Sequence, residues 1–128
     1  TGGARKLFRL GEAGVLKLIV GPNVLRECET VVRRKALTSL PTLAQLLDHG
    51  QVAISSDPGW KLVEQAYAIV AYRPDAHVLA DAILAEPDWF VTHDKAHFLT
   101  LNHDSRLAFR IGTPGDLIQE LKDEFTHP

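Results

Sequence analysis

Apolar residues recur along this chain with two alternating periods, one near 3.6 and one near 2, and the exchange between them predicts a run of helices and strands. Leu7, Phe8 and Leu10 set against Arg5, Lys6 and Arg9 predict a helix over 4–12, and the β-branched stretch at 15–20 predicts a strand. Gly21-Pro22-Asn23 then turns into a helix reaching residue 34, with Val24, Leu25, Cys28, Val31 and Val32 on its apolar face. A helix at 40–49 ends at Gly50, and the alternating stretch 51–55 predicts a half-exposed strand. Asp57 as N-cap and Pro58 in the first turn open a helix to residue 70, whose core stripe is Trp60, Val63, Ala66, Tyr67 and Val70. A helix from Pro74, a buried strand at 89–92, a polar loop at 99–106 and a strand at 107–111 follow. Thr113-Pro114-Gly115-Asp116 resembles a capping box and opens a last helix through Phe125. Strands alternating with helices predict an α/β fold: a three-layer α/β/α sandwich around a mainly parallel sheet.

One stretch carries the chemistry. With about 100° between successive helical residues, Val78, Leu79, Ala82 and Ile83 form one apolar face and Asp75 falls in its middle, while His77 and Asp81 point to solvent. An inward carboxylate needs a cap, a cation or a metal; alternatively, Asp75 in the first turn simply complements the helix dipole. Asp94 lies just past the strand at 89–92, at the sheet edge where ligands of parallel α/β folds collect. A crossover from a helix start to the next strand end can join two carboxylates, and such a pair suits a hard cation.

Composition narrows the field. At 128 residues, 45% hydrophobic and 23% charged, the chain reads as one globular domain over 1–128. No apolar run approaches the roughly 20 residues that span a bilayer, and no signal peptide opens the sequence, so the expectation is a cytoplasmic protein without a membrane partner. Cys28 is the sole cysteine, which excludes an intrachain disulfide and a cysteine zinc cluster; it reads as a small buried apolar group. With a net charge of −2, any phosphate footprint must be local. Arg33-Arg34-Lys35 either complements a helix C-terminus or joins Arg5, Lys6 and Arg9 in such a patch. Gly2-Gly3 before Lys6 is too short for a Walker loop. His93 and His97 have the spacing of helical zinc ligands but sit at a strand end, where they need not share a face. Glu27 and Glu29 flank the helix face at 24–32 symmetrically, so periodicity does not choose between them.

Pro74-Asp75-Ala76, Leu79-Ala80 and Ala82, followed by an apolar strand and then Thr92-His93-Asp94-Lys95 and His97-Phe98, resemble the second half of the PIN-domain nuclease family. Val20-Gly21-Pro22-Asn23-Val24-Leu25-Arg26-Glu27 is similar to the family's second motif. The resemblance implies a Mg²⁺- or Mn²⁺-dependent endoribonuclease in which Glu27, Asp75 and Asp94 hold metal that activates water for attack on an RNA phosphodiester, with Glu29 left solvated. It also implies RNA as partner, an antitoxin-like protein partner and homo-oligomerisation. The alternative is a non-catalytic PIN-like module that binds RNA or protein. The family opens with a strand ending in aspartate, and 1–7 resembles the segment that follows it, so the resemblance puts a further strand and carboxylate ahead of Thr1. Without that strand the stretches at 15–20 and 89–92 are expected to keep unpaired edges, and activity to be impaired.

Overall fold

The computed structural model describes the backbone of residues 2–35, 40–94, 96–102 and 104–126, and the side chains of all of these except 2, 27, 31–35, 40 and 42. The order is α1 (Gly2–Glu12), β1 (Ile19–Val20), α2 (Pro22–Lys35), α3 (Leu40–His49), β2 (Ala53–Ile54), α4 (Gly59–Tyr67), α5 (Arg73–Ala85), β3 (Trp89–Val91), a 3-10 turn (Leu99–Leu101), β4 (Arg110–Gly112) and α6 (Pro114–Thr126). The chain is thus a mixed helix and strand protein. Its described strands form two parallel ribbons: Ile19 and Val20 lie opposite Ala53 and Ile54, and Trp89, Phe90 and Val91 opposite Arg110, Ile111 and Gly112. Among the described residues β1 pairs with β2 alone and β3 with β4 alone. No helix among the described residues is long and apolar enough to cross a membrane.

The strands are shorter than the pattern predicts, and the backbone shows why. Gly14 takes the left-handed conformation (φ 77°) that ends α1. Val15 and Leu16 then both donate their N–H groups to the Leu10 carbonyl, which commits them to the helix terminus rather than to a ladder. Pairing starts only where Ala53 N–H reaches the Leu18 carbonyl. At the other end of the chain, Thr113 N–H donates to Asp116 Oδ2 and Asp116 N–H to Thr113 Oγ1, a reciprocal capping box with aspartate as the acid. Asp57 Oδ1 accepts the Gly59 N–H, but α4 begins at Gly59 with Pro58 as its N-cap, so Asp57 stands one residue ahead of the cap position expected for it.

The core gathers in the second half of the chain. Ala66, Val70, Ala76, Leu79, Ala80, Phe98, Phe109 and Ile111 are buried together, with Phe90 edge-on to both Phe98 and Phe109 at centroid distances of 5.1 and 6.0 Å. Trp60 departs from its expected stripe and is 68% exposed, leaving Ala66 and Val70 as the buried members. Cys28 is exposed rather than buried, and Glu29 is half-buried rather than solvated.

The largest correction concerns the phase of α5. Ala76, Leu79 and Ala80 are buried, Ala82 and Ile83 half-buried, His77 half-buried, and Asp81 buried at 3% exposure. The helix packs against α4 along one side and against α2 on another. Covered on two sides, it has apolar residues around much of its circumference, so periodicity alone misplaces its inner face.

Candidate metal centre

Asp75 stands in the first turn of α5, behind Tyr72 as N-cap and with Pro74 in the opening turn. Its side chain is 13% exposed, and at this end of a helix the free N–H groups favour negative charge. Asp94 follows the carboxyl end of β3, in a tight turn built from its own motif. Asp94 N–H donates to Thr92 Oγ1 at 3.0 Å, His97 N–H donates to Asp94 Oδ1 at 3.1 Å, and Phe98 N–H donates to the Asp94 carbonyl at 3.2 Å. Phe98 is buried against Phe90 of β3 and so ties the turn to the ribbon. The Thr-x-Asp-x-x-His-Phe string is therefore a self-capping turn with an apolar anchor.

The turn delivers a third group. His97 Nδ1 lies 2.8 Å from Asp94 Oδ2 and 3.6 Å from Asp75 Oδ2. One potential ligand atom from each of Asp75, Asp94 and His97 lies within 4.8 Å of the others. An ionised carboxylate only accepts, so Nδ1 carries the proton of the short contact. That hydrogen bond, then the charge of Asp94 and that of Asp75, raises the His97 pKa above its ordinary 6.5. The same bond, helped by the backbone N–H groups of the turn, lowers the Asp94 pKa below 3.8. The Tyr72 ring stacks on the imidazole at a centroid distance of 6.2 Å and 21° between planes. Arg73 next to it donates to Tyr67 Oη at 2.8 Å, which fixes the start of α5 against α4.

Asp75 and Asp94 thus come together from different elements. Glu27 lies on α2, but its side chain falls outside the described residues, as do those of Arg33, Arg34 and Lys35, so their expected roles are not placed. His93 is exposed and takes no part in the cluster. The sequence reading missed His97 because it paired that residue with His93; the signal was the Asp94 three residues earlier, inside a turn whose first acceptor is Thr92. A cleft of about 440 Å³ lined by Ile83, Pro87, Arg106 and Leu107 shares no residue with the cluster.

Two carboxylates and an imidazole make a donor set suited to a divalent cation that accepts both oxygen and nitrogen. The 2.8 Å spacing is a hydrogen bond through the Nδ1 proton, so a cation that takes Nδ1 as a ligand would displace that proton, and metal binding here would release it. No family model, curated protein or solved structure matches the chain.

Proposed function

We propose that the chain is a PIN-type, Mg²⁺- or Mn²⁺-dependent endoribonuclease, and that its two parallel ribbons belong to one sheet of a three-layer α/β/α sandwich. The observation that supports this most is the convergence of Asp75 and Asp94, from a helix start and a strand end, on one point beside His97. Asp75, Asp94 and His97 would hold the cation, with Glu27 on α2 as the further acid. A divalent cation there supplies positive charge beside a phosphodiester and makes a nearby water more acidic.

The protein's own groups do the rest. Three hydrogen bonds donated by backbone N–H groups fix the Asp94 turn, and the one from His97 reaches the carboxylate itself, so little ordering remains when the ligand arrives. Tyr72 is 62% exposed beside the cluster, an aromatic surface on which an unpaired base can stack. Stacking of this kind favours single-stranded RNA, whose bases are free to splay.

Cleavage of a fluorescent single-stranded RNA in Mn²⁺ and in Mg²⁺ tests this reading. Asp75→Asn and Asp94→Asn should each lower the rate by more than the ~10–100-fold typical of losing a residue that only supports a ligand. RNA binding without cleavage, insensitive to metal and to both substitutions, would instead identify a non-catalytic binding module.

A further inference from the structure

The buried charge in α5 lies outside the cluster. Asp81 Oδ2 accepts the backbone N–H of Asn23 at 3.0 Å and its Oδ1 accepts Asn23 Nδ2–H at 2.8 Å. Asn23 stands in the first turn of α2, 58 residues earlier in the chain. A helix leaves its first four N–H groups without internal partners, and α2 opens on Gly21-Pro22, which offers no side-chain acceptor of its own, nor is there an acidic residue in the first turn. Asp81 supplies both the acceptor and the negative charge that this end of a helix favours. Gly21 completes the fit: a Cβ built there would overlap the Asp81 carboxylate and its Cβ.

A buried carboxylate with two hydrogen-bond donors is a costly way merely to join two helices, because an apolar side chain would bury at lower cost. What only an acceptor can do is dictate where one particular N–H must sit. Asp75 and Asp81 ride on the same α5, about 9 Å apart along its axis at 1.5 Å per residue. Glu27 lies one turn beyond Asn23, about 6 Å further along α2.

We propose that Asp81 is a positioning residue for the metal site: a cap lent by α5 to α2 that fixes the helix bearing Glu27 relative to the helix bearing Asp75. The role rests on the reading of Asp75, Asp94 and Glu27 as metal ligands. Asp81 itself touches no ligand and takes no part in the chemistry.

The test uses the full chain, Asp81→Asn, and the double variant Asn23→Asp/Asp81→Asn. In the single variant an amide faces two donors and can accept from only one of them. In the double variant the carboxylate and the amide trade places: the backbone N–H of position 23 can still donate, now to the amide oxygen at position 81, and the side-chain hydrogen bond can form again with its direction reversed. Mn²⁺ affinity is measured by calorimetry below the melting temperature of every variant, and the exchange rate of the Asn23 amide by NMR. Asp81→Asn should bind Mn²⁺ on the order of 10-fold more weakly and speed exchange at Asn23, and the double variant should recover most of the affinity. A merely structural residue would lower the melting temperature without changing the affinity of the folded protein. Unchanged Mn²⁺ affinity in Asp81→Asn, or a loss that the double variant does not recover, overturns the positioning role while the metal site stands. If the unaltered chain takes up no Mn²⁺, the metal reading itself fails and positioning falls with it; exchange at Asn23 then judges the cap by itself.

Discussion

Gly21→Ala is the sharpest test of how closely α2 and α5 are fitted. The added methyl would meet both the carboxylate and the Cβ of Asp81. The carboxylate could rotate away, but the Cβ is fixed by the α5 backbone, so no change of rotamer relieves the overlap. Carbon atoms in contact sit at about 3.5–4.0 Å, and restoring that separation means parting the two helices by on the order of 1 Å. The hydrogen bonds at 2.8 and 3.0 Å would then stretch beyond useful range. Bonds to a charged group contribute about 1.5–3 kcal/mol each, so losing both should cost about 3–6 kcal/mol out of a total of roughly 5–15 kcal/mol. Urea denaturation followed by circular dichroism gives the number. Adding Asp81→Ala should leave most of the overlap in place, because alanine keeps the offending Cβ. A Gly21→Ala protein within about 0.5 kcal/mol of the unaltered chain, or one fully rescued by Asp81→Ala, would refute the reasoning.

Three further outcomes are expected. His97→Ala should weaken binding of Mn²⁺ more than that of Mg²⁺ in calorimetric titrations, because imidazole favours the former; an equal loss for both ions would deny His97 a place among the ligands. The Arg106 guanidinium holds the Asp104 pKa down to about 2 from 3.8, chiefly through its side-chain hydrogen bonds, so the stability from this pair is complete above pH 3.8 and is lost as pH falls through about 2. Urea midpoints across that window should therefore fall more steeply for the unaltered protein than for Asp104→Asn, and parallel profiles would contradict the assignment. Leu79→Ala, at a fully buried position, should cost about 2–5 kcal/mol, whereas Trp60→Ala, largely exposed, should stay within about 0.5 kcal/mol in the same assay.

Local chemistry was legible in the sequence, and relations between distant segments were less so. The Thr113–Asp116 capping box and the start of α5 at Arg73-Pro74 follow from residues a few positions apart. The place of Asp94 followed from the rule that parallel strands present their carboxyl ends to a common edge, whereas the helical phase that was to turn Asp75 inward does not hold, since Asp81 is buried. The phase of α5 was not legible, because two neighbours cover that helix and its pattern has no single outer face. Asp81 consequently read as a surface residue when it is the buried acceptor for Asn23. The strand at 15–20 came out short because composition cannot show that Val15 and Leu16 spend their N–H groups on the end of α1.

The distance in sequence between Asn23 and Asp81 also sets an order of events as the chain is made. Synthesis adds about 5–20 residues per second, so the 58 positions between donor and acceptor correspond to about 3–12 seconds during which the start of α2 exists and its cap does not. The residues that bury most completely, from Ala66 to Ile111, also emerge in this later half. The first half therefore leaves the ribosome without the partner that completes it, and a slowed or stalled ribosome within this interval would prolong the time in which α2 is open to wrong contacts.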